Sequence, residues 1–134
     1  WSYAWYDRFA KYLVNYGQND RAWRMLGLIA EKRQERGDLW HIRDIQCWMS
    51  KKEGRYVDAM CFLMCKFFLR AASYAGYEGD RFIKEAKPIA NKLKLDAKHV
   101  EYLSYLIETA LKRGEADEGF VVGAYRRAIA EFGL

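Results

Sequence analysis

The sequence predicts an all-α fold: a compact bundle of about seven helices around one buried central helix. Three observations predict it. Apolar residues recur at helical spacing along the chain, and no segment shows the polar–apolar alternation of a strand. In addition, the segment from about residue 55 to 75 is apolar over most of the circumference of a helix. Such a helix belongs in the middle of a domain, covered by other helices.

Length and composition predict one domain, residues 1–134. The chain has a single proline and no tract rich in serine, glycine and proline that would mark a linker. Its 134 residues, 51% of them hydrophobic, are enough to form a core without disulfides or metals. The net charge of +5 is a mild basic excess, which permits attraction to phosphates or to an acidic protein surface.

The first two helices are predicted over residues 2–16 and 21–36. Apolar residues in helix 1 follow the spacing of one face, which is therefore expected to be buried: Trp5, Phe9, Leu13 and Tyr16. Gly17 is expected to end helix 1. In helix 2, Trp23, Leu26 and Ala30 form the apolar face, and Gly37 is expected to separate helix 2 from helix 3.

Helix 3 is predicted over residues 39–53, with Asp38 as its N-cap and Gly54 at its end. The central helix follows. Five residues share its one narrow polar stripe: Arg55, Asp58, Lys66, Arg70 and Ser73. The unbroken apolar runs are much shorter than the roughly 20 residues needed to cross a bilayer, so no membrane span is expected.

The C-terminal part predicts three more helices. Asp80 is expected to cap helix 5, and Pro88 to kink that helix or to split it in two. Asp96 is predicted as the N-cap of helix 6, residues 97–113, whose buried face comprises Val100, Leu103, Ile107 and Ala110 with Leu111. In helix 7, the inner residues are expected to be Val121, Ala124, Tyr125, Ala128 and Phe132.

Two short segments resemble tetratricopeptide repeats. The pattern W-x-x-L-G-x-x-A from Trp23 to Ala30 is similar to the first helix of such a repeat, and GRYVDA at 54–59 is similar to the turn into the second helix. The resemblance implies stacked helical hairpins that form a binding groove. The first match pairs helices 2 and 3, whereas the second pairs helix 3 with the central helix. A short array of helical hairpins is therefore the alternative to a compact bundle.

Residues that could carry chemistry are few. Arg36 and His41 have the R-x-x-x-x-H spacing and resemble the motif of HEPN-type ribonucleases, in which arginine and histidine act together on RNA. Cys61 and Cys65 lie one helical turn apart without the C-x-x-C knuckle typical of structural zinc sites. Neither pattern is sufficient to predict an active site, so we expect no catalytic activity, no cofactor and no metal.

The favoured function is therefore that of a non-catalytic module for protein–protein interaction or self-association. Aromatic side chains that do not follow the predicted inner faces are the expected partner-binding residues: Trp1, Tyr6, Trp40 and Tyr77. The alternative is a nucleic-acid-binding accessory protein that contacts the phosphate backbone through helices 2 and 5. Its expected contact residues are Arg24, Arg33, Arg36, Lys92, Lys94 and Lys98.

The cysteines indicate where such a protein would act. Cys47, Cys61 and Cys65 are odd in number and lie inside apolar helical patterns. Buried, reduced thiols are typical of a reducing compartment, so we expect an intracellular, cytoplasmic protein.

Overall fold

A computed structural model describes residues 4–32, 36–73, 76–115 and 117–132, leaving out the side chains of residues 4, 36–38 and 132. Within these ranges the chain forms only helices, joined by short turns, which confirms the all-α prediction. Seven helices are described: α1 (Ala4–Asn15), α2 (Asn19–Lys32), α3 (Arg36–Lys52), α4 (Tyr56–Ser73), α5 (Gly79–Leu93), α6 (Ala97–Lys112) and α7 (Gly119–Phe132).

Backbone geometry at the helix ends accounts for several of the predicted boundaries. Gly54, after α3, has φ 74°, and the next N–H, from Arg55, donates to the Ser50 carbonyl at 2.9 Å. This left-handed turn satisfies a carbonyl that has no partner inside the helix, as a C-terminal glycine commonly does. Asp96 caps α6 as predicted, because its carboxylate accepts from the His99 N–H and the His99 ring accepts from the Asp96 N–H.

Two boundary predictions are wrong, and one of two alternatives expected at Pro88 is excluded. α3 begins at Arg36, so Gly37 and Asp38 lie in its first turn and not between helices. A first turn tolerates glycine because its N–H groups need no intrahelical partner. α5 begins at Gly79 with Glu78 at the N-cap position, so Asp80 lies inside it. α5 also continues through Pro88, so the split into two helices does not occur. The proline ring lies on the solvent side, where water can satisfy the carbonyl that proline leaves free.

α4 is the central helix that the sequence predicts. It packs against α3, α5, α6 and α7. Ten of its residues are buried: Ala59, Met60, Cys61, Leu63, Met64, Cys65, Lys66, Phe67, Phe68 and Leu69. α4 therefore contacts helices beyond its sequence neighbours, including α7, which is a feature of a compact bundle and not of hairpins that contact only the adjacent repeat.

The core has two parts, which meet at α3. The larger part surrounds α4, and α3 contributes Cys47 to it. The smaller part joins α1, α2 and α3 through Tyr6, Leu26, Met49 and their neighbours. α3 packs on α4 after the Gly54 turn, as the second of the two predicted pairings requires. None of the described helices is long and apolar enough to cross a membrane.

Lys66 is buried inside this assembly, although it is charged. Its Nζ lies 2.9 Å from Asp44 Oδ1 on α3 and 2.9 Å from Glu85 Oε1 on α5. The side chain is about one-twentieth exposed, whereas the Asp44 carboxylate is half exposed. A buried ammonium is tolerated only when opposing charges and hydrogen bonds replace the water it loses. Lys66 therefore ties α3 and α5 to the central helix.

We expect that removing both acids destabilises the protein more than removing the lysine. Asp44→Asn with Glu85→Gln leaves the Lys66 charge buried and unopposed, and should lower the free energy of unfolding by about 3–5 kcal/mol. Lys66→Met should cost less, since Asp44 is half exposed and Glu85 keeps Arg81 at 3.0 Å. Urea unfolding at neutral pH measures the free energy of unfolding of both variants. Equal losses for the two variants would contradict a structural role for the buried charge.

Candidate interaction surface

The first helix has its faces arranged differently from the prediction. Tyr6, Ala10 and Leu13 point into the small core, with Tyr6 fully buried. Trp5 and Phe9, which were expected to be buried, are about half exposed. α1 carries two apolar stripes, and the inner one includes Ala10, whose small side chain permits close approach to the neighbouring helices. Of the four residues predicted to be buried, Leu13 is buried, whereas Trp5, Phe9 and Tyr16 lie on the outer stripe.

The outer stripe consists of four exposed aromatic residues, which we call the α1 seam. Its members and their exposed fractions are Trp5 (50%), Phe9 (47%), Tyr12 (55%) and Tyr16 (69%). Tyr16 directly follows the last residue of α1, and its N–H still donates to the Tyr12 carbonyl at 3.1 Å. At about 100° per residue, the four therefore fall within an arc of roughly 60° around the helix axis. Three of the rings adjoin one another: the centroids of Phe9 and Tyr12 are 6.3 Å apart, and those of Tyr12 and Tyr16 are 4.6 Å apart. The Trp5 ring instead packs edge-on against Tyr6, with the centroids 5.4 Å apart. The seam is therefore a continuous surface of three rings, with Trp5 one helical turn before it on the same stripe.

Few charges border this surface. Arg8 and Asn15 are exposed and flank the seam on one side. Lys11 forms an ion pair with Asp7 at 3.3 Å, and its ammonium lies 5.7 Å from the centre of the Trp48 ring. These contacts turn Lys11 away from the seam, toward α3. The α1 seam is therefore aromatic and uncharged, with the hydroxyls of Tyr12 and Tyr16 and the indole N–H of Trp5 as its own polar groups. Among the described side chains of α1, one guanidinium and one carboxamide lie at its edge.

The predicted partner-binding residues do not form a single surface. Trp1 lies outside the described residues. Tyr6 is buried, so the exposure that its predicted role requires is absent. Trp40 is half-buried between His41, whose ring stacks on it at 3.7 Å, and the Arg70 guanidinium, 5.2 Å from its centre. Tyr77 is half-buried against α6.

Tyr77 is held in place by its hydroxyl. The oxygen lies 2.9 Å from Ser104 Oγ, and burial raises the pKa of Tyr77 to about 12. Its ring lines an open cleft of about 540 Å³ together with Glu108 and Lys112. A tyrosine that is partly desolvated and hydrogen-bonded within the protein contributes to the packing of α6, and has only part of its ring available to a partner.

The predicted basic residues are divided between two regions. Arg24 is exposed on α2, which packs on α1 and α3, whereas α5 packs on α4 and α6. Lys92, Lys94 and Lys98 are exposed together around the α5–α6 turn. Lys94 has φ 59° and forms the left-handed end of α5, so it has a structural role as well. Arg33 and the side chain of Arg36 lie outside the described residues.

The candidate catalytic pair lies on α3, and the three candidate metal-binding cysteines are buried. Arg36 and His41 both belong to α3, at its first and sixth residues. Burial raises the pKa of Cys47 and of Cys61 to about 11 and also raises that of Cys65, so these thiols are protonated at neutral pH. Within the described residues, no three histidine, cysteine, aspartate or glutamate side chains converge as a metal site would require.

The seam residues were missed as partner-binding candidates because helical spacing alone indicates an apolar stripe, not the side of the helix that is buried. A signal was nevertheless present. The positions 5, 9, 12 and 16 follow a 4-3-4 spacing, which is that of the contact line between two helices in a coiled coil.

Comparison with known proteins finds no significant match for this chain among protein-family models, curated proteins or solved structures. No relative therefore supplies a function or a partner for the α1 seam. A proposal for its function therefore rests on its geometry and chemistry.

Two substitutions three residues apart distinguish the inner stripe of α1 from the outer one. Tyr6→Ala removes a fully buried ring and should lower the free energy of unfolding by about 3–5 kcal/mol. Phe9→Ala removes a ring that is half in water and should change it by less than about 1 kcal/mol. Thermal or urea unfolding of both variants checks this. The opposite order would mean that the Phe9 stripe faces the core.

Proposed function

We propose that this protein is a non-catalytic interaction module that binds a helix of a protein partner along the α1 seam. The observation that carries this proposal is the exposure of four aromatic side chains on one helix stripe, three of which, Phe9, Tyr12 and Tyr16, adjoin one another. Aromatic side chains are enriched at the centres of protein interfaces and provide much of their binding energy. An exposed apolar patch of this kind is a typical interaction site.

The size of the seam is suitable for reversible binding. Four aromatic side chains that are about half exposed present roughly 450 Å² of surface. At about 25 cal/mol per Å², covering it gains roughly 11 kcal/mol before the costs of association, which take up several kcal/mol or more. A partner that covers the seam alone is therefore expected to bind weakly, and additional contacts would be needed for tight binding.

The spacing of the seam favours a helical partner. Residues at 4-3-4 spacing form a straight line along a helix and accept the side chains of a second helix that runs beside it. α1 has twelve residues and is therefore about 18 Å long, enough for three turns of contact. An extended peptide would instead use the unpaired edge of a β-sheet, and the described residues contain no strand.

The thiols are in accord with a non-catalytic role. Cys47, Cys61 and Cys65 are buried and have raised pKa values, whereas a cysteine nucleophile needs an accessible thiolate. Three buried free thiols also suit a reducing compartment, and we propose the cytoplasm as the place of action.

Binding to a nucleic-acid backbone is the second candidate, favoured by the exposed group of Lys92, Lys94 and Lys98. We rank it below the seam for two reasons. Asp96 lies within this group, and its pKa is lowered by the hydrogen bond from the His99 N–H, so it is negatively charged at neutral pH. Arg24 lies on a helix that packs against different neighbours from those of α5.

Matched variants test the proposed function. Phe9→Ser with Tyr12→Ser removes two seam rings, and Tyr102→Ser with Tyr105→Ser removes two exposed rings from α6 as a control. Tagged wild type and both tagged variants are used to capture partner chains from cells that express the protein naturally. Mass spectrometry identifies the captured chains, and untagged copies of this protein count as possible partners. We expect wild type and the α6 variant to capture certain partner chains that the seam variant fails to capture. One such partner, once purified, should bind wild type but not the seam variant.

Two results would contradict the seam proposal. One is capture of the same chains by the seam variant and by wild type. The other is binding of labelled single-stranded RNA or DNA that weakens steeply with salt, persists in the seam variant and is lost when Lys92, Lys94 and Lys98 are changed to glutamate. That second result would establish the nucleic-acid hypothesis in its place.

A further inference from the structure

We infer that the helix bound along the α1 seam is α1 of a second copy of this chain, packed antiparallel to form a twofold-symmetric dimer. This inference rests on the proposed function and names its partner. A twofold interface requires a surface that is complementary to itself, so that each contact occurs twice. The α1 seam meets this requirement because its own spacing, 4-3-4, reads the same in both directions.

The antiparallel register follows from the four ring positions. Trp5 of one copy lies opposite Tyr16 of the other, and Phe9 lies opposite Tyr12, so every layer pairs two aromatic rings. Such pairs are favourable beyond the area that they bury. A parallel arrangement would instead place the two indoles in one layer and align the two helix dipoles, whereas the antiparallel arrangement opposes them.

The polar residues beside the seam suit the same register. In heptad terms, Arg8 and Asn15 occupy equivalent positions on one side of the contact line. Antiparallel helices bring these positions together, which places the Arg8 guanidinium of each copy beside the Asn15 carboxamide of the other. The guanidinium can donate to the amide oxygen, and the two arginines stay apart.

The direction of the core leaves room for a second copy. Among the side chains of α1 that the structure describes, the buried and half-buried ones are Tyr6, Asp7, Ala10, Leu13 and Val14. The centre of the arc that they span lies about 130° round the helix from the centre of the seam. In an antiparallel pair, the rest of each copy therefore points away from the contact line, and α1 of the second copy can reach the seam.

The area predicts a weak dimer. Two seams together remove roughly 900 Å² of aromatic surface from water. That is below the 1,200–2,000 Å² of a standard interface, before Arg8 and Asn15 are added. The net charge of +5 on each copy adds repulsion, which salt screens. We therefore expect a dissociation constant of about 1–100 µM and a dimer that salt leaves unchanged or strengthens.

Analytical ultracentrifugation of the whole chain, from about 2 to 200 µM, tests the inference. Wild type should shift from monomer to dimer over this range, and Phe9→Asp should remain monomeric. Tyr105→Asp, which changes an exposed tyrosine on α6, should dimerise like wild type. Phe9 is half exposed, so its variant should keep the wild-type circular dichroism and melting temperature, and Tyr12→Asp repeats the test at a second seam residue.

Cysteine cross-linking tests the register. Under mild oxidation, a mixture of Trp5→Cys and Tyr16→Cys chains should form a disulfide-linked dimer faster than either variant alone, with wild type, whose thiols are buried, as the control. Faster cross-linking by Trp5→Cys alone would overturn the antiparallel arrangement.

Three ultracentrifugation results would overturn the second copy as the partner. They are a monomeric wild type over the whole range, a dimer that persists in both seam variants, and a dimer that Tyr105→Asp abolishes. Each of these results would leave the proposed function itself open to its own test, which is whether capture of a different chain depends on the seam.

Discussion

The covering of α4 is the constraint on which the rest of the structure depends. Ten residues of this helix are buried, among them Met64, Phe67 and Phe68, and four other helices are needed to cover them. Because α3, α5, α6 and α7 are all engaged with α4, α1 and α2 pack chiefly on each other and on α3. A helix held on only one side retains an outer surface, and in α1 that surface is aromatic.

Lys66 shows how this constraint accommodates a charge. The residue belongs to the narrow polar stripe of α4, and it is the buried member of that stripe, whose two end residues, Arg55 and Ser73, are exposed. Asp44 and Glu85 bring carboxylates from two covering helices to the ammonium, each at 2.9 Å. The ion pairs therefore set how α3 and α5 meet the central helix, in addition to the apolar packing around Phe67 and Phe82.

Those parts of the fold that depend on local sequence were predictable. The Asp96 cap and the inner face of α6, including Leu103 and Ile107, depend on residues one or two turns apart, so the sequence pattern contains them. The central helix was predictable because it is apolar on nearly every side. A split of α5 at Pro88 was expected as one of two outcomes and does not occur, because the cost of a proline in a helix depends on whether the carbonyl it frees faces water.

The orientation of α1 was not predictable in the same way. Tyr6, Ala10 and Leu13 have helical spacing, and so do Trp5, Phe9 and Tyr16, so periodicity favours neither stripe. The choice is made by shape, because Ala10 and Ala22 are small enough for α1 and α2 to pack closely. Contacts between distant segments, such as that of Lys66 with Asp44, were likewise absent from the sequence pattern.

The most direct test of this account is the solvent paramagnetic relaxation enhancement of the aromatic ring protons, measured by NMR in a dilute and in a concentrated sample. In the dilute sample, the account predicts strong enhancement for Trp5, Phe9, Tyr12 and Tyr16 and weak enhancement for Tyr6. In the concentrated sample, the seam rings should become protected while Tyr105 stays accessible. Strong enhancement for Tyr6 with protection of Phe9 at high dilution would contradict the orientation of α1, and with it the account of the seam.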